Sequence, residues 1–398
     1  MKSLAKRIIP HSVLNTLRAY KKYHQYPINM SRGGSMTALV CYVPAWMEGG
    51  SSKDRGRTVG HSGALESWAI RDALVALDYS VDVVSFVSEA DIEYGKYDLV
   101  FGFGVPFEKS FYDPHFKGKR IMYLTGACPS FSNLALARRA RNFAQRHGQF
   151  LRPRRTASIP WDYSLECADA IFVLGNQWTL STYAQYSPSK YLVAVPTPVA
   201  LPAECGDRTT PASMDEAGPV RFVWLGGSGA LHKGLDLVVD AMVQARFPWH
   251  LDVFGLKNVE EDFVQYFKET TVGVSDITLH GFVDLGDAEV RDFLEKVPFV
   301  VFPSCSEATA GSVIACMAMG CVPIVTTEAG VDLMDFGILI EGGTPEAVLA
   351  AMKRAAELSS AEIQRRRKKV LKHVAEVHGR EGFEKNILSC LSKVLEGC

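Results

Sequence analysis

Residues 221–242 read RFVWLGGSGALHKGLDLVVDAM. Arg221 to Leu225 is a short apolar run, Gly226, Gly227 and Gly229 break it, and Leu235 to Met242 resumes with apolar residues at helical spacing. The pattern predicts a strand, a tight loop and a helix, the unit from which parallel sheets are built. Glycines after a strand let backbone N–H groups approach an anion, the helix start adds partial positive charge, and Lys233 adds a full one. Gly226, Gly227, Ser228, His232, Lys233 and Gly234 therefore form a candidate diphosphate cradle, with a plain strand-to-helix turn and a solvated lysine as the alternative. The glycine spacing fits neither a Walker loop nor a dinucleotide fingerprint, which disfavours ATP and NAD.

The same rhythm runs outward in both directions. Downstream, strands are predicted over 250–254, 277–280, 299–302, 322–325 and 338–340; upstream, over 38–43, 81–86, 99–101, 121–124, 171–174 and 191–195. Leu65, Ala69, Ala73, Leu74 and Leu77 give 64–77 a helical stripe. Nearly all-apolar strands alternating with helices fit parallel sheets covered on both faces. Pro198, Pro202, Pro211 and Pro219 punctuate a stretch without apolar periodicity, which reads as a linker. The chain thus divides into a basic amphipathic segment (1–36), a Rossmann-like α/β domain (37–200), a linker (201–219), a second Rossmann-like domain (220–375) and a C-terminal helix (376–398) able to return to the first domain. Two doubly wound domains around one linker leave a cleft, and open parallel sheets bind ligands at the carboxyl ends of their strands.

Composition narrows the function. A chain of 398 residues with 47% apolar content supports two or three cores. No run approaches the roughly 18 apolar residues of a membrane span, and no secretory leader is evident at the N-terminus. The nine cysteines are scattered singly without ligand spacing, which favours a reducing cytoplasm and no structural zinc. The net charge of −1 conceals a division: residues 1–200 carry +9 and the remainder −10. No acid lies between Asp113 and Asp162, a segment that includes Arg138, Arg139, Arg141, Arg146, Arg152, Arg154 and Arg155. An anionic partner is expected for that half. Nucleic acid is disfavoured, since no recognised binding motif accompanies the charge.

The segment from Phe302 to Pro323 carries the most specific signal. Glu307 follows a predicted strand, and the small residues Ala308, Thr309, Ala310, Gly311 and Ser312 open a helix. A carboxylate there can accept hydrogen bonds from sugar hydroxyls while nearby amides face phosphate oxygens; the alternative is an ordinary helix-start carboxylate. Together with the Lys233-Gly234 loop, this segment resembles the donor half of a GT-B nucleotide-sugar glycosyltransferase, in particular the retaining family 4 group. Glu307 falls at that family's first glutamate, Met317, Ala318 and Gly320 on its Glu-Ala-Met-Ala-x-Gly stretch, and Pro323 on its closing proline. Two positions depart: Ala315 stands where the family has a second glutamate, and Gly227 and Ser228 occupy the neighbourhood of its phosphate-loop arginine.

The resemblance implies transfer of a hexosyl group from a UDP- or GDP-sugar to a glycan or lipid-linked acceptor, with retention and with no metal or other cofactor. Glu307, Lys233 and His61 are the candidate catalytic residues. Gly49, Gly50, His61, Glu66 and Arg138 are the candidate acceptor-side residues, with His61 either binding a substrate or assisting proton transfer. Val13, Leu14, Leu17 and Tyr20 beside Arg18, Lys21 and Lys22 suit either an anionic membrane surface or packing on the first domain. The competing reading is a non-catalytic GT-B protein that binds glycan or a partner, motivated by Ala315 and the absent arginine.

Overall fold

The computed structural model describes residues 24–44, 62–157, 162–184, 191–199, 211, 218–256 and 260–396. Most of the predicted linker, the basic stretch 1–23, and Gly49, Gly50 and His61 lie outside the described residues. The first sheet contains β1 (Ile28–Ser31), β2 (Met36–Tyr42), β3 (Tyr79–Ser85), β4 (Leu99–Gly102), β5 (Lys119–Leu124), β6 (Ala170–Leu174) and β7 (Tyr191–Val195), in the spatial order β1-β3-β2-β4-β5-β6-β7. All its pairings are parallel except that of β1 with β3. β1 corrects the sequence division: part of the 1–36 segment is an antiparallel edge strand of the first domain.

Strand alternation sends successive side chains to opposite faces. Ala38, Val40, Phe101 and Tyr123 enter one cluster, and Leu39, Cys41, Val100 and Met122 enter the other. Both faces are therefore buried, which is why these strands read as continuous apolar runs. The Ser62–Ala76 helix covers the first face together with the Arg380–Glu396 helix. Phe383, Ile387 and Leu391 of the latter are fully buried there, and the Lys119 ammonium donates to the Val394 carbonyl at 3.1 Å.

The second sheet is entirely parallel and comprises β8 (Val220–Leu225), β9 (Trp249–Phe254), β10 (Ile277–Gly281), β11 (Phe299–Phe302), β12 (Val322–Val325) and β13 (Ile338–Leu339), ordered β10-β9-β8-β11-β12-β13. The order reverses between β8 and β11, so the chain leaves these neighbouring strands in opposite directions and opens a crevice at their carboxyl ends. The Gly226–Gly234 loop follows β8, and the loop carrying Glu307 follows β11.

The Pro129–His147 helix belongs to both halves. Ala140, Phe143 and the following Leu151 are buried in the second domain's core. Arg146 binds Asp236 at 2.6 Å and Asp240 at 3.0 Å, Arg139 lies 3.7 Å from Asp236, and Arg154 binds Asp262 at 2.7 Å. These contacts give Arg139, Arg146 and Arg154 of the arginine-rich segment internal partners, carboxylates of the acidic second domain.

Candidate active site

Gly234 sets the spacing of the two key loops. Its φ of +74° begins the Leu235–Met242 helix in the left-handed region, and a Cβ there would stand 2.2 Å from the Pro303 carbonyl. Only glycine lets the β8 and β11 loops approach this closely. The contact is extended by the His232 carbonyl, which accepts from the Cys305 amide at 3.0 Å and the Ser304 hydroxyl at 3.3 Å. The His232 Nε2–H in turn donates to the Ser306 carbonyl. Burial pulls the imidazole down to about 4, so it is neutral near pH 7 and acts as a latch between loops.

Glu307 faces this latch. Its carboxylate accepts from the Ser304 hydroxyl at 3.2 Å, lies 3.6 Å from His232 Nε2, and takes Arg155 Nη1 at 3.3 Å from each oxygen. Burial alone would raise its pKa, but Arg155, His232 and Lys233 outweigh burial and hold the carboxyl below its ordinary value. It is thus an ionised, well-positioned hydrogen-bond acceptor. Beyond it, the Ala308 carbonyl accepts from Thr179 of the first domain at 2.5 Å, and the Ala310 amide donates to Ala329 at 2.9 Å. The Gly311 and Ser312 amides open the Gly311–Ala318 helix and have no hydrogen-bond partner among the described residues. Ala315, Met317 and Ala318 are buried within that helix.

The glycine loop is partly occupied from within. Glu260, 2% exposed, accepts the Gly229 amide at 2.6 Å and the Ala230 amide at 3.1 Å, while the Gly226 amide donates to Phe254 at 3.1 Å. The Gly227 and Ser228 amides have no partner among the described residues. Lys233 is half-buried, with its ammonium 5.9 Å from the centre of the Phe302 ring.

A cavity of about 320 Å³ lies between the domains. The second domain lines it with His232, Ser306, Glu307 and Ala308, and the first with Thr125, Gly126 and Ala127 after β5, Ser132, and Arg155. The Ser132 and Ser306 hydroxyls meet across it at 2.6 Å. Among the described residues, Arg155 is the cationic side chain on this wall, whereas Lys233 does not line it.

The acceptor-side candidates fare differently. Glu66 is 2% exposed and accepts from the Tyr42 hydroxyl at 2.6 Å and the Tyr123 hydroxyl at 3.1 Å. Burial raises its pKa, making it a carboxyl of the first domain's core and not one offered to the cleft. Arg138 is exposed and does not line the cavity. Sequence reading missed Glu260, Ser304, Ser306, Ser132 and the placement of Arg155. Except for the Ser304–Glu307 bond, three residues apart, their partners are distant in the chain, and no local spacing announces them. Among the described residues no group of His, Cys, Asp or Glu is arranged to hold a metal ion, and no helix is long and apolar enough to cross a membrane.

Residues 219–357 match the family model described as Glycosyl transferases group 1. No curated protein matches the chain. Among solved structures, a sucrose-phosphate synthase from Thermosynechococcus elongatus is similar at 15% identity and a TM-score of 0.61, covering 91% of this chain and 99% of that one. A glycosyltransferase from Rickettsia africae is similar at 12% identity and a TM-score of 0.60, covering 92% and 100%. HepE from Anabaena, solved with UDP and glucose, gives 12% identity, a TM-score of 0.55 and coverage of 90% and 99%. The architecture is the two-domain GT-B fold of these neighbours, and the match to the group 1 glycosyl transferase model falls on residues 219–357, within its second domain.

Proposed function

We propose that this protein transfers a sugar from a nucleoside diphosphate, UDP or GDP, to a glycan or lipid-linked acceptor, with retention and without a metal. One observation carries the reading. An ionised Glu307 and the Lys233 loop flank the strand-order reversal of a domain that matches the group 1 glycosyl transferase model, and Glu307 faces first-domain loops across the interdomain cavity.

In this reaction the bond from the anomeric carbon to the phosphate oxygen breaks, leaving positive charge on the sugar and negative charge on the diphosphate. The Gly227 and Ser228 amides, the start of the Gly311–Ala318 helix and the Lys233 ammonium stabilise the leaving oxygens, a fixed electrostatic device that needs no covalent intermediate. Glu307 accepts hydrogen bonds from the sugar hydroxyls and orients the anomeric carbon. The acceptor oxygen then forms the new bond on the same face, and its proton passes to the departing phosphate oxygen. That route suits the cavity's own chemistry: Thr125, Gly126 and Ala127 supply no base, and His232 already donates its Nε2 hydrogen to Ser306. The reading places the protein in the cytoplasm, where nucleotide sugars and free thiols coexist. In the same reading, Val13, Leu14, Leu17 and Tyr20 beside Arg18, Lys21 and Lys22 are a contact for an anionic membrane surface.

The test is a panel of UDP- and GDP-sugars with purified protein, scored for hydrolysis and transfer. Lys233→Ala and Glu307→Gln should each lower kcat/KM by about a hundredfold with folding intact. Wild-type rates in both would remove these residues from the mechanism. A second reading, a non-catalytic glycan-binding protein, is favoured by Ala315 and by the occupation of two loop amides by Glu260. Calorimetry separates the two, since that reading requires glycan binding indifferent to nucleotide.

A further inference from the structure

Arg155 reaches the donor side of the cleft from a segment pinned at both ends. The Arg152 amide donates to Asp262 at 2.9 Å and Arg154 to the same carboxylate at 2.7 Å. Two residues past Arg155, the Ala157 amide and carbonyl both bond Asn133, at 2.9 and 2.8 Å. Held between these anchors, the Arg155 stem lies across the glycine loop: a Cβ on Gly229 would stand 2.6 Å from its Cδ. The guanidinium then turns into the cavity towards Glu307, with its side chain 42% exposed.

Its hold on Glu307 is loose. A two-nitrogen guanidinium–carboxylate fork has N–O distances of about 2.7–2.9 Å, whereas here one nitrogen serves both oxygens at 3.3 Å. The remaining N–H groups make no hydrogen bond with a described residue. A cation with unused donors, lying against the glycine loop at Gly229 and on the wall of a cavity that Lys233 does not line, is placed to receive an anion.

We infer that Arg155 is a donor-binding residue that the first domain delivers to the diphosphate site of the second, exchanging Glu307 for phosphate oxygens when donor enters. The exchange leaves Glu307 free to accept sugar hydroxyls, and it ties donor binding to the seating of one domain on the other. The inference rests on the donor-binding reading above and adds a residue to it.

The experiment is calorimetric titration of UDP and GDP into the full-length wild type, Arg155→Ala, Arg155→Lys, Glu307→Gln and the Arg155→Ala/Glu307→Gln double variant, with thermal unfolding to verify folding. Arg155→Ala should weaken the nucleotide that the wild type binds by at least about tenfold, and Arg155→Lys by less, because an ammonium keeps the charge and loses the fork. The loss should persist with Glu307→Gln as background. Equal binding by folded wild type and Arg155→Ala overturns the assignment and leaves the donor-binding reading standing. A loss that disappears in the Glu307→Gln background reduces Arg155 to a prop for Glu307 and overturns direct contact. Failure of the wild type to bind either nucleotide overturns both readings together.

Discussion

The Glu260 carboxylate accepts the Gly229 amide at 2.6 Å, so one of the protein's own anions holds the loop proposed to receive a ligand's. With Ala230 bound as well, Glu260 fixes the loop's far side and leaves the Gly227 and Ser228 amides for a ligand. Glu260→Ala strands two buried donors, each costing about 1–3 kcal/mol. The expected result is a lower urea midpoint and weaker nucleotide binding in the same variant. Nucleotide affinity unchanged in a destabilised Glu260→Ala protein would separate the carboxylate from the site.

The Asp236 carboxylate is fully buried between Arg146 and Arg139, and burial raises its pKa against the pull of both arginines. Replacing one partner of such a group costs about 3–5 kcal/mol because a buried charge is left uncompensated. Asp236→Ala should therefore be strongly destabilised in urea titrations, whereas Lys353→Ala, which breaks an exposed pair with Glu357, should change stability by less than about 1 kcal/mol. Similar small effects from both would show that the Pro129–His147 helix is not clamped by charge.

Two buried histidines fix the sign of the pH response. His232 and His378 are both depressed from 6.5 to about 4, chiefly by burial, and His378 is held by its Nδ1 bond to the Thr197 carbonyl at 2.7 Å. Between these values the unfolded chain binds protons that the folded chain refuses, so stability is full above pH 6.5 and falls as pH drops towards 4. Each site is worth roughly 2 kcal/mol at about pH 5. Unfolding free energies at neutral and acid pH should show this decline, and His378→Asn, which keeps a donor for Thr197, should make it shallower. A wild-type stability that is flat over this range would contradict the buried, neutral assignment.

How much of this was legible beforehand follows the range of the interactions. Predicted strands such as 121–124 and 299–302 fall on β5 and β11 because a strand buried on both faces leaves a continuous apolar run. β1 escaped: its four residues, Ile28–Ser31, lie on a sheet edge and are only partly buried. Glu307 was visible because it ends a strand and precedes a run of small residues. Arg155 was visible only as one arginine among many, since its partner lies 152 positions away. Glu66 misled because sequence shows a carboxylate near a glycine-rich loop but not the two tyrosines that enclose it.

Gly234 offers the sharpest test of the site's construction. A side chain there faces two costs: a left-handed φ of +74° and a Cβ 2.2 Å from the Pro303 carbonyl, which is backbone and cannot swing aside. The left-handed conformation alone costs roughly 1–2 kcal/mol for a residue with a Cβ, and the clash adds to it by forcing the β8 and β11 loops apart. Because His232, Ser306 and Glu307 depend on that approach, Gly234→Ala should lose nucleotide affinity out of proportion to its loss of stability. Gly273→Ala is the matched control, with a φ of +76° and open space around its Cβ, so it bears the conformational cost without the clash. Equal effects of the two substitutions on nucleotide binding would show that the distance between the loops does not govern the site.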